Sequence, residues 1–261
     1  MDEIEVLKEE LRQTRLAYQM ANQMGEFKGG FLARTAHELR SPLSSLMGLH
    51  QLILSDLCEN PEEQREFIAQ AYKCAQKLMK IIDEIIFISK LQSGTAELDI
   101  ESWPLGEIFE QLYVCTHLQA ANRNIRLEFE YPDREIYVLT DLKHFLQLLI
   151  NLIDTSINYT ELGTIRISTN IREDTIEIYI DSTSETQQWS EPIDFLQNIP
   201  NLTLENLADF DKQLELSPWM KILLSQTLLE IMGGGLEIFE LPENLEKDKV
   251  TRIKCLVNYI S

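Results

Sequence analysis

The sequence predicts a multidomain chain, α in its first third and α+β beyond. A coiled coil comes first, then a helical hairpin able to form a dimeric four-helix bundle, then a sandwich with one sheet face under helices. Three observations predict this. Apolar residues recur at alternating three and four spacing through Leu91. Beyond Ser93-Gly94-Thr95 several short stretches switch to a period of two, bounded by turn residues. The charge changes at the same place: of the net −20 over 261 residues, −3 lies through Gly94 and −17 from Thr95 onward.

Residues 1–28 carry Ile4, Leu7, Leu11, Thr14, Tyr18, Ala21 and Gly25 at coiled-coil spacing. An ordinary surface helix is the alternative reading of so short a seam. Gly25, Gly29 and Gly30 interrupt it as a joint, since each costs about 1 kcal/mol in a helix interior. The hairpin spans 29–94. Its first helix, 31–57, places Phe31, Leu39, Leu43, Leu46, Leu49 and Ile53 mostly on one side. Asn60-Pro61 stops that helix and caps the next. The second, 61–92, repeats Ile68, Ala71, Ala75, Leu78, Ile82, Ile85 and Ser89. One hairpin cannot bury both seams, so a homodimer is the natural solution.

The third part, 95–261, opens with Trp103-Pro104 as a hinge or packing corner. Helices are expected at 105–124, at 142–158 under an Asp141 cap, and at 218–232 before Gly233-Gly234-Gly235. Strands are expected at 125–131, 136–140, 236–241 and 250–260, with 164–171 and 175–181 as a hairpin. The polar stretch 182–217 reads as a loop with a short helix, or as a partner surface carrying Trp189, Phe195 and Phe210.

Several function classes are excluded. The acidic half repels nucleic acid, whose affinity rests on phosphate contacts, and it opposes polyanions such as ATP unless a local site overcomes the field. No apolar run reaches the roughly 18 residues of a membrane span, and Met1-Asp-Glu-Ile-Glu lacks a signal-peptide layout. Cys58, Cys74, Cys115 and Cys255 form no CxxC pair, and His50, His117 and His144 lack ligand spacing, so no metal site is expected. A cytoplasmic protein with reduced thiols is expected.

Chemistry concentrates in Phe31-Leu-Ala-Arg-Thr-Ala-His37-Glu-Leu-Arg-Ser-Pro-Leu43. Leu39 and Phe31 can face a bundle while His37 faces water. Pro42 has no N–H, so the Glu38 carbonyl loses its helical partner and a bend is expected beside His37. Imidazole is a usable nucleophile near neutral pH. Glu38 can accept a proton, and Ser41, one turn on, can position a water. A lone histidine reads as a solvated helix face. The full string instead resembles the H-box of sensor histidine kinases, F-L-x-x-x-x-H-E-L-R-[ST]-P-L. Ile88-Ser-Lys-Leu-Gln-Ser-Gly94 resembles that family's exit from the bundle. The resemblance implies His37 as phosphoacceptor and Glu38 as its acid/base partner. Ser41 takes the position usually held by Thr or Asn in the phosphatase motif.

Residues 95–261 resemble the family's ATPase-like α/β sandwich, with departures in each nucleotide box. Asn151 matches the first Asn of the N-box, but Thr155 replaces the Mg²⁺-holding Asn and Asn158 the basic residue. Asp181 is matched to the adenine-binding carboxylate of D-x-G-x-G, while Thr183 and Glu185 replace both glycines. Trp219 and Lys221 stand where G-x-G-L has glycines, and Pro218 offers no N–H to phosphate. Asn151, Asp181 and Lys221 are therefore read as vestigial cofactor contacts for ATP and Mg²⁺. The expectation is a two-component protein whose own ATP use is impaired, a pseudokinase or histidine phosphotransferase. His37 would exchange phosphoryl groups with a response-regulator receiver domain or be loaded by a partner histidine kinase. An active kinase with a divergent site and a non-enzymatic dimeric scaffold are the alternatives. No nucleic acid or membrane partner is expected, and the chain reads equally as a fragment of a longer sensor.

Overall fold

The computed structural model describes residues 35–132, 136–172, 175–184, 216–241 and 250–260. They form two compact units, one up to Cys74 and one from Ala75 onward. The architecture is mixed α and α+β, helical first and sheet-based second, as the two periodicities predict. The expected coiled coil over 1–28, Phe31 and the stretch 185–215 lie outside the described residues.

Helix α1 covers 35–54 and runs unbroken through Pro42 and Ser41. The proline therefore removes one hydrogen bond without ending the helix. Asp56, with φ +52°, turns the chain out of it. Asn60 caps α2 (Pro61–Gln92): its Oδ1 accepts the Glu63 N–H at 2.8 Å, and Glu63 Oε2 accepts the Glu59 N–H at 2.5 Å. The first bond satisfies a first-turn amide that helix geometry leaves open, and the second ties the chain before the cap to the same turn.

The seams differ from the sequence expectation. In α1 the buried positions are Thr35, Glu38, Pro42, Ser45 and Leu49. Of the expected stripe, Leu49 is fully buried, Leu39, Leu46 and Ile53 are half-buried, and Leu43 is 46% exposed. In α2, Phe67, Ala71, Cys74, Ile81, Ile88 and Leu91 are buried, one position away from most of the expected repeat, while Ile68 and Ile82 stay open. Helix α2 thus has two adjacent apolar stripes with only one covered within the chain, whereas in α1 the covered stripe is largely polar and much of the apolar one stays open. Gly94 (φ +67°) closes α2, with the Thr95 N–H donating to the Lys90 carbonyl at 2.9 Å.

The second unit is a seven-stranded sheet. Its elements are β1 (Glu101–Pro104), α3 (Leu105–Asn122), β2 (Ile125–Phe129), β3 (Tyr137–Thr140), α4 (Leu142–Tyr159), β4 (Gly163–Ile171), β5 (Thr175–Ser182), α5 (Pro218–Ile231), β6 (Gly235–Glu240) and β7 (Thr251–Ile260). Strand order is β1-β3-β7-β5-β4-β2, with β6 also on β7. The expected β4–β5 hairpin is present and antiparallel. Trp103-Pro104 ends strand β1 at the turn into α3; the strand, which pairs with β3, was not expected, because four residues are too short to show a period. Proline fits there because β1 is an edge strand.

Alternation decides the sheet's faces. Ile176, Ile178, Ile180 and Ser182 of β5 lie opposite Val257, Cys255, Ile253 and Thr251 of β7, and all are buried. Glu177, Tyr179 and Asp181 occupy the other face with Leu256, Lys254 and Arg252. Helices α3, α4 and α5 pack side by side. Phe145, Leu148, Leu149, Leu152 and Ile153 of α4 are fully buried, as are Ile108, Phe109 and Leu112 of α3. The Asp141 carboxylate caps α4 as expected, accepting the His144 N–H at 3.1 Å. At the other end of α4, Arg123 donates to the Ile157 carbonyl at 3.3 Å.

Candidate functional site

His37 lies on α1 with its side chain exposed, while its neighbour Glu38 belongs to the buried seam at 7% exposure. Helical geometry turns successive residues by about 100°, so a buried Glu38 and an exposed His37 follow from their adjacency. Ser41, one turn on, is half-buried and shares the His37 side of the helix. The first unit therefore presents an imidazole to solvent from a backbone held by its seam.

The second unit handles its polar residues differently. Thr155 is fully buried, and its hydroxyl donates to the Asn151 carbonyl at 2.7 Å. Asn151 Oδ1 accepts from Gln147 at 3.1 Å. Lys221 is 6% exposed, and its ammonium lies 3.7 Å from Asp154 Oδ2, linking α5 to α4. Ser217 caps α5, its Oγ accepting the Met220 N–H at 3.2 Å, with Pro218 in the first turn.

Asp181 is held on the face away from the helices. Arg252, directly opposite it in register, donates through Nε at 2.7 Å and Nη2 at 2.6 Å to its two carboxylate oxygens. The Arg252 guanidinium also lies 4.2 Å from the Tyr179 ring centre. Hydrogen bonds from Arg252 to Asp181 raise the arginine above its ordinary pKa despite burial. Glu177 on the same face is pulled below the usual range, first by the Tyr179 hydroxyl, which donates to it, and further by Asn170 and Arg172 against the effect of burial. At the end of β5 the residue on the buried face is Ser182, whose Oγ sits 2.9 Å from Ser184 Oγ. Thr183 donates to the Leu162 carbonyl at 3.1 Å, and its hydroxyl fills the space beside Gly163, where a Cβ would meet it at 2.5 Å.

The expected residues thus separate. Asn151, Thr155 and Lys221 gather on α4 and α5, whereas Asp181 points out through the opposite sheet face. Sequence reasoning missed Arg252, Asp154 and Ser182. The signal for Ser182 was strand parity: Ile178 and Ile180 face inward, so Asp181 cannot. It also missed that His144 is anchored, stacked on Phe87 at 4.5 Å between ring centres with Nδ1 2.8 Å from Asp141 Oδ1. No group of three or more His, Cys, Asp or Glu residues that could hold a metal occurs among the described residues. No helix among them is long and apolar enough to cross a membrane.

The His Kinase A (phospho-acceptor) domain matches residues 27–94, the segment containing α1, α2 and His37. That segment thus carries a histidine-kinase phospho-acceptor domain, and the chain resembles sensor histidine kinases. Histidine kinase 1 of Arabidopsis thaliana is 31% identical over 160 residues, 61% of this chain and 13% of that protein. Sensor protein SrrB of Staphylococcus aureus strain MRSA252 is 25% identical over 161 residues, 61% of this chain and 27% of that one. The chain therefore spans about a quarter or less of these curated relatives. Among solved structures, the Acinetobacter baumannii histidine kinase AdeS superposes with a TM-score of 0.56 at 17% identity, covering 85% of this chain and 97% of that one. Histidine kinase ThkA, solved with response regulator TrrA, gives 0.53 at 21% identity over 98% of this chain and 67% of that one. At these identities the shared property is the fold.

Proposed function

We propose that this chain is a two-component signalling protein whose His37 exchanges a phosphoryl group with the aspartate of a response regulator, and whose own use of ATP is impaired. Its parts are a coiled-coil signalling helix (1–28), a dimerisation and phosphotransfer hairpin (29–94) and an ATPase-like domain with degenerate boxes (95–261). A neutral His37 ring attacks the phosphorus of a receiver acyl phosphate. The new bond is N–P, the aspartyl carboxylate leaves with the electrons of the broken P–O bond, and Glu38 takes the surplus imidazole proton. Ser41 positions a water that hydrolyses the N–P bond, releasing inorganic phosphate and the free imidazole. An exposed His37 beside the anchored Glu38 supports these roles.

The observation that carries impaired ATP use is that the nucleotide-box residues are already engaged within the chain. The Thr155 hydroxyl and the Asn151 side-chain oxygen, the candidate Mg²⁺ ligands, have internal partners. Lys221 is buried against Asp154, and Asp181 is clamped by Arg252 on the wrong face for adenine. ATP and Mg²⁺ do not fit this set, so no step is routed through them. The open apolar stripe on α1 and α2, including Leu43, Met47, Ile68 and Tyr72, supports a homodimer. Four free cysteines support a reducing, cytoplasmic setting.

The test is incubation with labelled ATP and, separately, with a phosphorylated receiver domain. The expected result is label on wild type from the receiver alone, none on His37→Ala, and no measurable ATP–Mg²⁺ binding by calorimetry. Label from ATP without a receiver identifies an active kinase with a divergent site and overturns the impaired reading. No label from any donor leaves the dimeric scaffold.

A further inference from the structure

A cleft of about 640 Å³ opens in the second unit, apart from every nucleotide box. It is lined by Pro104 of β1, Gly106, Glu107 and Glu110 of α3, Tyr131 and Pro132 after β2, and Tyr137 of β3. Its two rings are large and open, Tyr131 at 52% and Tyr137 at 42% exposure. Burial first, then Glu110 and Tyr113, raise the Tyr131 phenol above its ordinary value.

Two carboxylates and two tyrosine rings lining one cleft suit one chemistry, a planar organic cation. A guanidinium can stack on an aromatic face while its N–H fork meets carboxylate oxygens. The first turn of α3 opposes a cation with the helix dipole, equivalent to roughly half a positive charge, but Glu107 and Glu110 supply two full negative charges. The acidic charge of the domain draws such a ligand in.

The cleft continues into an apolar strip. Glu107, Glu110, Val114 and Leu118 follow one another at three and four spacing on the exposed side of α3. Tyr131, Phe129, Tyr113 and His117 run alongside as consecutive ring contacts of 6.1, 5.7 and 5.0 Å. A small cation uses only the cleft, whereas a polypeptide uses both features. We propose that this surface docks a basic segment of a partner protein, which inserts an arginine into the cleft lined by Glu107, Glu110, Tyr131 and Tyr137 and lays an apolar residue on Val114 and Leu118. From the carboxylates to the apolar pair is about 11 Å along α3, a span that three to four extended residues cover.

The test is calorimetry of the full chain with the blocked peptide Arg-Ser-Gly-Leu-Leu, the same peptide with citrulline for arginine, and N-acetyl-arginine amide. The variants are Glu107→Gln/Glu110→Gln, Tyr131→Ala and, as a charge-matched control, Glu62→Gln/Glu161→Gln, each checked for fold by circular dichroism. The expected result is binding of the arginine peptide that weakens at least about tenfold, or 1.4 kcal/mol, with citrulline, with the Glu107/Glu110 variant and with Tyr131→Ala. The control stays within about twofold of wild type. No heat with wild type, or equal loss in the control, overturns the proposal. N-acetyl-arginine amide binding as tightly as the peptide also overturns it, because the site then takes a small cation.

Discussion

Removing Asp154 tests whether Lys221 is a structural residue. Lys221 is 6% exposed and its ammonium lies 3.7 Å from Asp154, whose side chain keeps 18% exposure. Removing one partner of a buried ion pair costs about 3–5 kcal/mol, because the remaining charge stays desolvated. The long contact and the partial exposure of Asp154 place Asp154→Ala at the low end, about 3 kcal/mol. Lys221→Met keeps most of the buried stem and leaves the better-solvated partner, so it costs less, about 1–2 kcal/mol. The double variant Asp154→Leu/Lys221→Met removes both charges and returns to within about 1 kcal/mol of wild type, since apolar replacement of a buried pair is often neutral or stabilising. Urea denaturation followed by tryptophan fluorescence reads this, with Trp219 two residues from the pair. A loss of about 3 kcal/mol lowers the midpoint by about 1–2 M at ordinary urea slopes. Asp154→Ala within about 0.5 kcal/mol of wild type, a scatter normal for surface sites, would refute the reasoning. So would a double variant as unstable as the two single losses added together.

Burial raises the Asp141 carboxyl, but amide hydrogen bonds from His144 and Asp99, and then the His144 ring, outweigh it and hold its pKa low. A depressed folded pKa means stability present above the ordinary carboxylate value, about 3.9, and lost as pH falls through the lower folded one. Asp141→Ala should cost about 1 kcal/mol at neutral pH and flatten the acid limb of the melting-temperature profile below about pH 5; an unchanged acid limb argues against the cap. Gly234→Ala brings a Cβ to 2.1 Å from the Leu256 carbonyl oxygen, a backbone atom, whereas Gly235→Ala meets a side-chain carbon at 3.7 Å. Thermal melts should show Gly234→Ala destabilised by about 1–3 kcal/mol and Gly235→Ala near wild type; equal melts would mean that α5 and β7 are free to separate.

Local signals were legible. The Asn60-Pro61 cap, the Asp141 cap, the glycine stop after α5 and the β4–β5 hairpin each depend on a few neighbouring residues, and the structure places them as read. The period of α2 was legible, but not which of two adjacent apolar stripes would be buried. Ile68 and Phe67 differ by one position, and only the packing around the helix chooses between them. Strand β1 was missed because four residues cannot show a period. Asp181 was matched by motif letters alone, and parity with Ile178 and Ile180 moves it to the other face of the sheet.

Sequence alone determined the family string around His37, the two-part architecture and the substitutions in each nucleotide box, because these are properties of residue identity and local spacing. Tertiary structure decided what those substitutions do. Asp181 and Arg252 are 71 positions apart, and Asp154 and Lys221 are 67 apart. Strand register brings the first pair together and the packing of α4 against α5 the second. Lys221, which reads in sequence as a remnant of phosphate binding, and Asp181, which reads as one of adenine binding, each face an opposite charge from within the chain.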